Sequence, residues 1–179
     1  MNLNEQTNRI KQMMGVINEV TNNIIDNNIK DPRLSSLLKK IETQTGKVFT
    51  QQHFDNEKKL SGDVKKESGG LDPNALKAFG QLQNACKGVT YDEDSYRTYE
   101  KQTDFFIEYI KKYGSIEGAM KLRSIPGFSQ HHTGKAFDIE QIGPLRDCVG
   151  KNANKFGFIF PYTKNGIRVA EPWHIYYNI

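Results

Sequence analysis

Two short clusters of ligand-type side chains constrain this chain more than any other feature of its sequence. The first is the pattern S-x-H-x-x-G-x-A-x-D at residues 129–138, and the second is E-P-W-H at residues 171–174. A catalytic zinc ion takes three protein ligands from His, Asp, Glu or Cys and leaves a fourth position for water. His131, Asp138 and His174 would supply such a set, so the fold must bring the two clusters together.

The second cluster also contains a carboxylate that this set of ligands does not use. Zinc lowers the pKa of a bound water towards neutrality, and Glu171 could then accept the proton of that water. The spacing of His131 and Asp138 alone carries little weight, because a lone histidine is usually a satisfied polar residue. The conjunction of the two clusters indicates a metal site.

The local sequence predicts how each cluster is held. A glycine permits a sharp reversal, so Gly134 would turn the chain between the first two ligands. Residues 135–139 then alternate as a β-strand does, which places Ala136 and Asp138 on one face. Pro172 cannot donate to a strand ladder, so the second cluster should enter its strand irregularly.

Three residues next to the proposed ligands are predicted to have supporting roles. His132 should point away from its neighbour His131 in extended chain, so we predict that it supports the ligands from outside or lies at the surface and is not itself a ligand. Trp173 is predicted to pack beside the metal cluster with its N–H partnered. Ser129 could bind substrate through a hydrogen bond or could support the turn, and the sequence leaves both options open.

These motifs resemble those of the zinc D,D-carboxypeptidases and L-alanyl–D-glutamate endopeptidases that cut peptidoglycan stem peptides, the VanY-type group, which includes bacteriophage endolysins. Residues 129–138 and 171–174 are similar to its two signatures. The run S-Y-R-T-Y at 95–99, followed by Gln102, is similar to its S-x-Y-R-[ST] segment, although the usual glycine between Ser and Tyr is missing. The resemblance covers roughly residues 71–179.

The resemblance implies a role for each matching residue. His131, Asp138 and His174 would bind Zn²⁺, and Glu171 would be the catalytic base. Arg97 would bind a substrate carboxylate or the developing oxyanion, since a planar guanidinium recognises carboxylates bidentately. On the residues alone, Arg97 could equally be a surface arginine among acidic neighbours. The implied fold is a small antiparallel sheet carrying the zinc site, flanked by helices and shared with the Hedgehog signalling domain.

The function expected from this resemblance is zinc-dependent hydrolysis of peptidoglycan stem peptides by an endolysin-like L-alanyl–D-glutamate endopeptidase. The alternatives are a D-alanyl-D-alanine carboxypeptidase and a catalytically silent, zinc-stabilised binding or virion structural module. The endopeptidase is preferred because Met1 to Arg9 is polar and no apolar region typical of a signal peptide follows. We therefore expect synthesis in the cytoplasm and delivery to the cell wall by a holin-type route or on a virion, unless the chain is a fragment.

Composition limits the partners of the protein. A net charge of +4 over 179 residues would favour an anionic cell-wall polymer but does not form the dense basic stripe of a nucleic-acid binder. No stretch has the apolar length needed to span a bilayer. Cys86 and Cys148 permit at most one disulfide, and the sequence leaves their pairing and the oligomeric state open.

The pattern along the chain predicts an α+β protein in three parts. We expect a helical N-terminal extension at residues 1–57, a polar linker at 58–70 and the zinc peptidase domain at 71–179. The extension would serve for targeting or oligomerisation, or would pack as a helical arm on the catalytic domain. Apolar residues at helical spacing predict helices before Asp31-Pro32 and after it. Further elements are predicted as helices at 72–86, 98–112, 115–123 and 145–156 and as a hairpin formed by 158–160 and 167–169.

Overall fold

The computed structural model describes residues 3–140, 144–164, 167–168 and 171–179. The chain divides into two compact units, one formed by residues 1–64 and 100–128 and the other by residues 65–99 and 129–179. The three-part division expected from the sequence stays a prediction. No helix in the described ranges combines the length and the apolar character that a membrane crossing requires.

The first unit is helical. Asp31 caps the second helix through its side chain, which accepts hydrogen bonds from the backbone N–H groups of Arg33 and Leu34, as an N-terminal aspartate is expected to do. Thr50 forms a capping box with His53 at the start of the third helix, which sequence patterning did not identify. The helices are α1 (Leu3–Asn28), α2 (Pro32–Thr45), α3 (Gln51–Ser61), α5 (Tyr99–Tyr113) and α6 (Ile116–Met120).

Among the side chains of α1 that the structure describes, the predicted apolar stripe is buried towards the end of the helix. Ile25 and the following Ile29 lie in the core, whereas five apolar side chains further towards the N-terminus are more than half exposed. The pattern therefore identified the helix correctly but overstated the part of its apolar face that packs within this unit. The exposed residues are Ile10, Met13, Met14, Val16 and Val20.

The second unit contains the remaining helices and all the strands in the described residues. Its α-helices are α4 (Pro73–Ala85) and α7 (Pro144–Asn152), and short 3-10 turns cover Glu93–Ser95, Gln130–Thr133 and Ala153–Phe156. The strands are β1 (Ala136–Asp138), β2 (Phe158–Ile159), β3 (Thr163–Lys164), β4 (Ile167–Arg168) and β5 (His174–Tyr177).

Three strands form an antiparallel sheet in the order β1-β5-β2. In the central pairing, Phe137 lies opposite Ile175 and Asp138 lies opposite His174. The predicted α+β class, with a small antiparallel sheet among helices, is confirmed.

The predicted hairpin is wrong in one of its strands. Phe158–Ile159 pairs with β5, and the partner of Ile167–Arg168 is Thr163–Lys164. Phe158 is fully buried, so β2 pairs within the sheet that covers the core and not with β3, the next strand along the chain. Asn165, Gly166 and Val169, which belong to the predicted hairpin, lie outside the described residues.

An aromatic cluster forms the core beneath the sheet. The ring of Phe79 from α4 stacks on Phe137 with centroids 4.9 Å apart, and Phe158 meets Phe137 edge to face at 5.7 Å. Such aromatic pairs add about 0.5–1.5 kcal/mol beyond the burial of their area. Cys86, at the end of α4, and Cys148 of α7 form a disulfide, which joins the two helices over this core.

Residues 65–72 pack closely against the first metal motif. The backbone N–H of Ser68 donates to the carbonyl of His132, and that of Asp72 donates to Gly134, both at 2.9 Å. Gly134 adopts φ +68°, and a Cβ there would overlap the carbonyl oxygen of Gly70 and lie 2.7 Å from Ser68 Oγ. Gly134 thus serves two purposes, a left-handed turn and a close approach between backbones.

We predict that Gly134→Ala destabilises the protein by about 2 kcal/mol or more, because it combines a left-handed backbone with a steric overlap. Chemical denaturation measures the free energy of unfolding. Gly80→Ala is the matched control, since Gly80 lies inside α4 with open space around its Cβ position. The control should gain roughly 0.5–1 kcal/mol. Equal stability of the two variants would contradict the assigned role of Gly134.

Candidate metal centre

The sheet and one 3-10 turn bring three of the predicted site residues together. Asp138 ends β1 and lies directly opposite His174, the first residue of β5. His131 comes from the turn Gln130–Thr133, just before β1. One ligand-type atom from each of the three side chains lies within 4.8 Å of the others.

The environment of His131 fixes which of its nitrogens faces the centre. Its Nδ1 is 2.8 Å from the carbonyl oxygen of Ser95, and because a carbonyl can only accept, Nδ1 carries the proton. Burial lowers the pKa of His131 to about 4, so the ring is neutral near pH 7. The Nε2 lone pair is therefore available, 3.4 Å from Asp138 Oδ1.

His174 presents its other nitrogen to the same carboxylate. Its Nδ1 lies 2.9 Å from Asp138 Oδ1, and its Nε2 lies 2.9 Å from the side-chain oxygen of Gln130. The ring meets that of His131 edge to face with centroids 4.8 Å apart, and the ring of Tyr162 lies 5.3 Å away on a tilt. His174 is thus held in one orientation by contacts on several sides.

The two oxygens of Asp138 have different partners. Oδ1 faces both imidazoles, whereas Oδ2 accepts a hydrogen bond of 2.6 Å from Arg97 Nη2. Burial disfavours the carboxylate, but the polar groups around it outweigh that cost and lower the pKa of Asp138 well below its usual range. Asp138 is therefore ionised at neutral pH.

Arg97 is a buried residue of the centre rather than a surface arginine. Its side chain is 8% exposed, and its Nε donates to the carbonyl of Asp94 at 3.0 Å while Nη2 holds Asp138. The structure therefore links Arg97 to one proposed ligand. Its predicted contact with a substrate carboxylate or an oxyanion stays a prediction.

The segment around Arg97 is tied to the first metal motif by buried hydrogen bonds. His132 Nδ1 donates to the carbonyl of Arg97 at 2.7 Å, and the N–H of Asp138 donates to Ser95 Oγ at 3.2 Å. His132 is fully buried, its ring lies edge to face with Tyr99, and it is outside the three-residue ligand group. His132 is thus a supporting residue and not a surface one.

Glu171 occupies a strained turn beside the centre. Its φ of +42° is the only positive value found for a non-glycine residue in the ranges that the structure describes. Its carbonyl accepts from the N–H of His174 at 2.9 Å, which closes a tight turn just before β5. Such strain costs about 1–3 kcal/mol and is concentrated at functional sites. This conformation accounts for the irregular entry into β5 that Pro172 predicted.

Ser129 and Trp173 complete the predicted set of residues. Ser129 is buried at the N-cap of the 3-10 turn, where its side chain forms no capping hydrogen bond. Trp173 is 43% exposed, so it is less covered than the predicted packing beside the metal cluster implied. Its backbone carbonyl accepts from the N–H of Ile139 at 2.9 Å, so the main chain continues the pairing of β1 with β5.

The donor set of the centre suits a zinc ion. Bond lengths of about 2.0–2.2 Å in tetrahedral geometry separate ligand atoms by roughly 3.4 Å. Asp138 Oδ1 lies 3.4 Å from His131 Nε2 and 2.9 Å from His174 Nδ1, and the whole group lies within 4.8 Å. Two imidazole nitrogens and one carboxylate oxygen also match the ligand types that zinc prefers. The predicted ligand roles of His131, Asp138 and His174 fit this geometry.

Three supporting residues were not predicted from the sequence. Ser95 acts through its backbone carbonyl as well as its hydroxyl, Gln130 contacts His174, and Tyr162 packs on the same ring. The S-x-Y-R match pointed to the segment that contains Ser95. No pattern distinguishes Gln130 or Tyr162 from ordinary polar and aromatic residues.

The fold and the site together define a candidate metal site of two histidines and one aspartate on a small antiparallel sheet. The family model described as D-alanyl-D-alanine carboxypeptidase, VanY, matches residues 68–179. The chain belongs to this family, so the resemblance noted from the motifs is confirmed. No curated protein matches the chain.

Several solved structures are similar to part of the chain. The LdcB LD-carboxypeptidase is 28% identical, with a TM-score of 0.52 and coverage of 60% of this chain and 58% of that one. A D,D-pentapeptidase VanY mutant in complex with Zn(II) is 26% identical, with a TM-score of 0.51 and coverage of 64% and 78%. VanYB in complex with D-alanine-D-alanine is 25% identical, with a TM-score of 0.50 and coverage of 64% and 76%. The chain thus spans little more than half of LdcB.

The lowered pKa of His131 predicts acid sensitivity of the protein in the presence of a chelator. The unfolded chain binds this proton near pH 6.5 and the folded protein only near pH 4, so the free energy of unfolding falls on acidification between these values. The expected loss from pH 7.5 to pH 5 is about 2 kcal/mol in urea denaturation. His131→Asn should lose less over the same range, and an unchanged pH dependence in that variant would refute the assignment.

Proposed function

We propose that the protein is a zinc-dependent peptidase acting on peptidoglycan stem peptides. The convergence of His131, Asp138 and His174 within 4.8 Å, on the fold of the VanY family, carries this proposal. The Zn(II) complex of the VanY relative supports the choice of metal. When bound, zinc supplies a Lewis acid that lowers the pKa of water and polarises a carbonyl.

Glu171 is the proposed general base. It would accept a proton from the water that attacks the scissile carbonyl and return that proton to the leaving amine. Glu171 lies in a strained turn three residues before His174. This position supports the role, because the turn fixes the backbone of Glu171 relative to a proposed ligand. A structural metal site has no need of such a base.

Arg97 and Ser129 are the proposed substrate-binding residues. Arg97 Nη2 lies on Asp138, so its positive charge is next to the ligand group, where it would stabilise the charge that develops on the carbonyl oxygen. Its guanidinium would also attract the carboxylates of a stem peptide. Ser129 precedes the turn that carries His131, and we assign its hydroxyl to a hydrogen bond with the substrate.

The two candidate peptide bonds are supported by different observations. VanYB, which has been solved with D-alanine-D-alanine, supports removal of a C-terminal D-alanine by this chain, and the LdcB LD-carboxypeptidase supports carboxypeptidase activity in general. The L-alanyl–D-glutamate endopeptidase expected from the endolysin resemblance stays a prediction, and so does delivery by a holin-type route or a virion. The proposed partner in each case is a peptidoglycan peptide.

We predict that Glu171→Gln retains zinc but loses about 100-fold or more of its peptidase activity, because an amide cannot accept the proton of the attacking water. Zinc content is measured by elemental analysis, and activity by the release of products from purified peptidoglycan. Glu140→Gln is the matched control, since Glu140 is exposed on the same unit. Full activity of Glu171→Gln would overturn the assignment of the base. An inactive wild-type protein that binds zinc would support the silent module instead.

The products of digestion distinguish the two candidate bonds. We predict that mass spectrometry of digested peptidoglycan detects stem peptides shortened by one alanine, with the peptides still attached to the glycan. Release of the whole peptide from the glycan would instead support the endopeptidase. Digestion in the presence of a chelator should abolish either product, because the reaction requires the metal.

A further inference from the structure

His174 is the proposed ligand whose coordinating nitrogen is not fixed by the backbone. His131 is oriented by the carbonyl of Ser95, which can only accept a hydrogen bond. His174 has Asp138 Oδ1 at 2.9 Å from Nδ1 and the side chain of Gln130 at 2.9 Å from Nε2. A neutral imidazole has one donor and one acceptor nitrogen, so the partner of Nε2 decides whether Nδ1 keeps a lone pair.

We propose that Gln130 is a positioning residue that makes His174 bind metal through Nδ1. In the metal-bound protein the side-chain oxygen of Gln130 would accept the Nε2 proton, which would leave the lone pair of Nδ1, on the side of Asp138, for the metal. This inference rests on the proposed zinc site but does not depend on which peptide bond is cut. Partners of this kind typically change metal affinity by 10–100-fold.

The position of Gln130 in the chain makes this control direct. Gln130 is the first residue of the 3-10 turn Gln130–Thr133, and His131 follows it in the same turn. One short turn therefore carries one proposed ligand and the group that orients another. His174 is 2% exposed at its side chain, so water has little access to replace the glutamine as the acceptor.

Two substitutions of Gln130, one that removes the acceptor and one that keeps it, test the proposal. Gln130→Met keeps the length and removes the acceptor, whereas Gln130→Glu keeps an acceptor in a similar shape. We expect zinc affinity, measured by competition with a chromophoric chelator, to fall 10–100-fold in Gln130→Met and to stay within a few-fold of wild type in Gln130→Glu. Gln81→Met is the matched control, since Gln81 is exposed on α4 of the same unit.

A spectroscopic measurement separates tautomer control from a general structural role. In the zinc-loaded wild type, nitrogen-15 NMR of the histidine rings should place the His174 proton on Nε2, with slow exchange against solvent. That proton should exchange faster in Gln130→Met, while Gln81→Met remains like the wild type. Wild-type zinc affinity in Gln130→Met, or a proton on Nδ1, would overturn the proposal, and equal weakening in Gln130→Glu would do so as well.

These results are independent of the proposed peptidase activity. A protein whose zinc affinity depends on Gln130 but which cuts no peptidoglycan would leave this inference standing and refute the peptidase. A wild-type protein that cuts peptidoglycan, together with a Gln130→Met variant that binds zinc normally, would refute this inference alone.

Discussion

The antiparallel pairing of β1 with β5 is the constraint on which the candidate centre depends. It places Asp138 opposite His174, although 36 residues separate them in the chain. Successive side chains of a strand point to opposite faces, so a shift of one residue in either strand would turn the proposed ligand of that strand away from the other. Phe137 and Ile175, paired in the same ladder, are fully buried and oppose such a shift, because it would expose them. The apolar core therefore sets the register of the polar site.

Buried hydrogen bonds then fix the orientation of the side chains that the sheet brings together. His131 donates to a backbone carbonyl and His174 faces Gln130, so each ring has a partner on the side away from Asp138. An imidazole whose outer nitrogen is occupied cannot turn that nitrogen inwards without losing a buried hydrogen bond, at a cost of about 1–3 kcal/mol. The rings are thus oriented by the protein itself, as preorganised metal sites require.

Sequence patterns predicted the centre where chemistry requires particular residue types. Metal ligands come from a short list of side chains, and a turn with a close backbone approach requires glycine, so the ligands and Gly134 are visible in the pattern. The role of Gln130 is not visible in the pattern, because it depends on a partner 44 residues away and because many side chains could occupy this position. Trp173 is more exposed than expected, because aromatic character predicts burial whereas this residue lies in the turn just before β5. Helix α3 was missed because its polar residues hide a narrow buried face.

Arg97 links the electrostatics of the centre to its proposed chemistry. It takes one oxygen of Asp138, so the carboxylate offers a single oxygen, Oδ1, to the side of the two imidazoles. The guanidinium also cancels the charge of Asp138, and His131 is neutral near pH 7, so this part of the donor set adds no net negative charge to a bound cation. A metal bound here would keep most of its positive charge, which would favour polarisation of a carbonyl and attraction of a peptide carboxylate. In the proposed function, Arg97 would therefore act through Asp138 even where it makes no contact with the substrate.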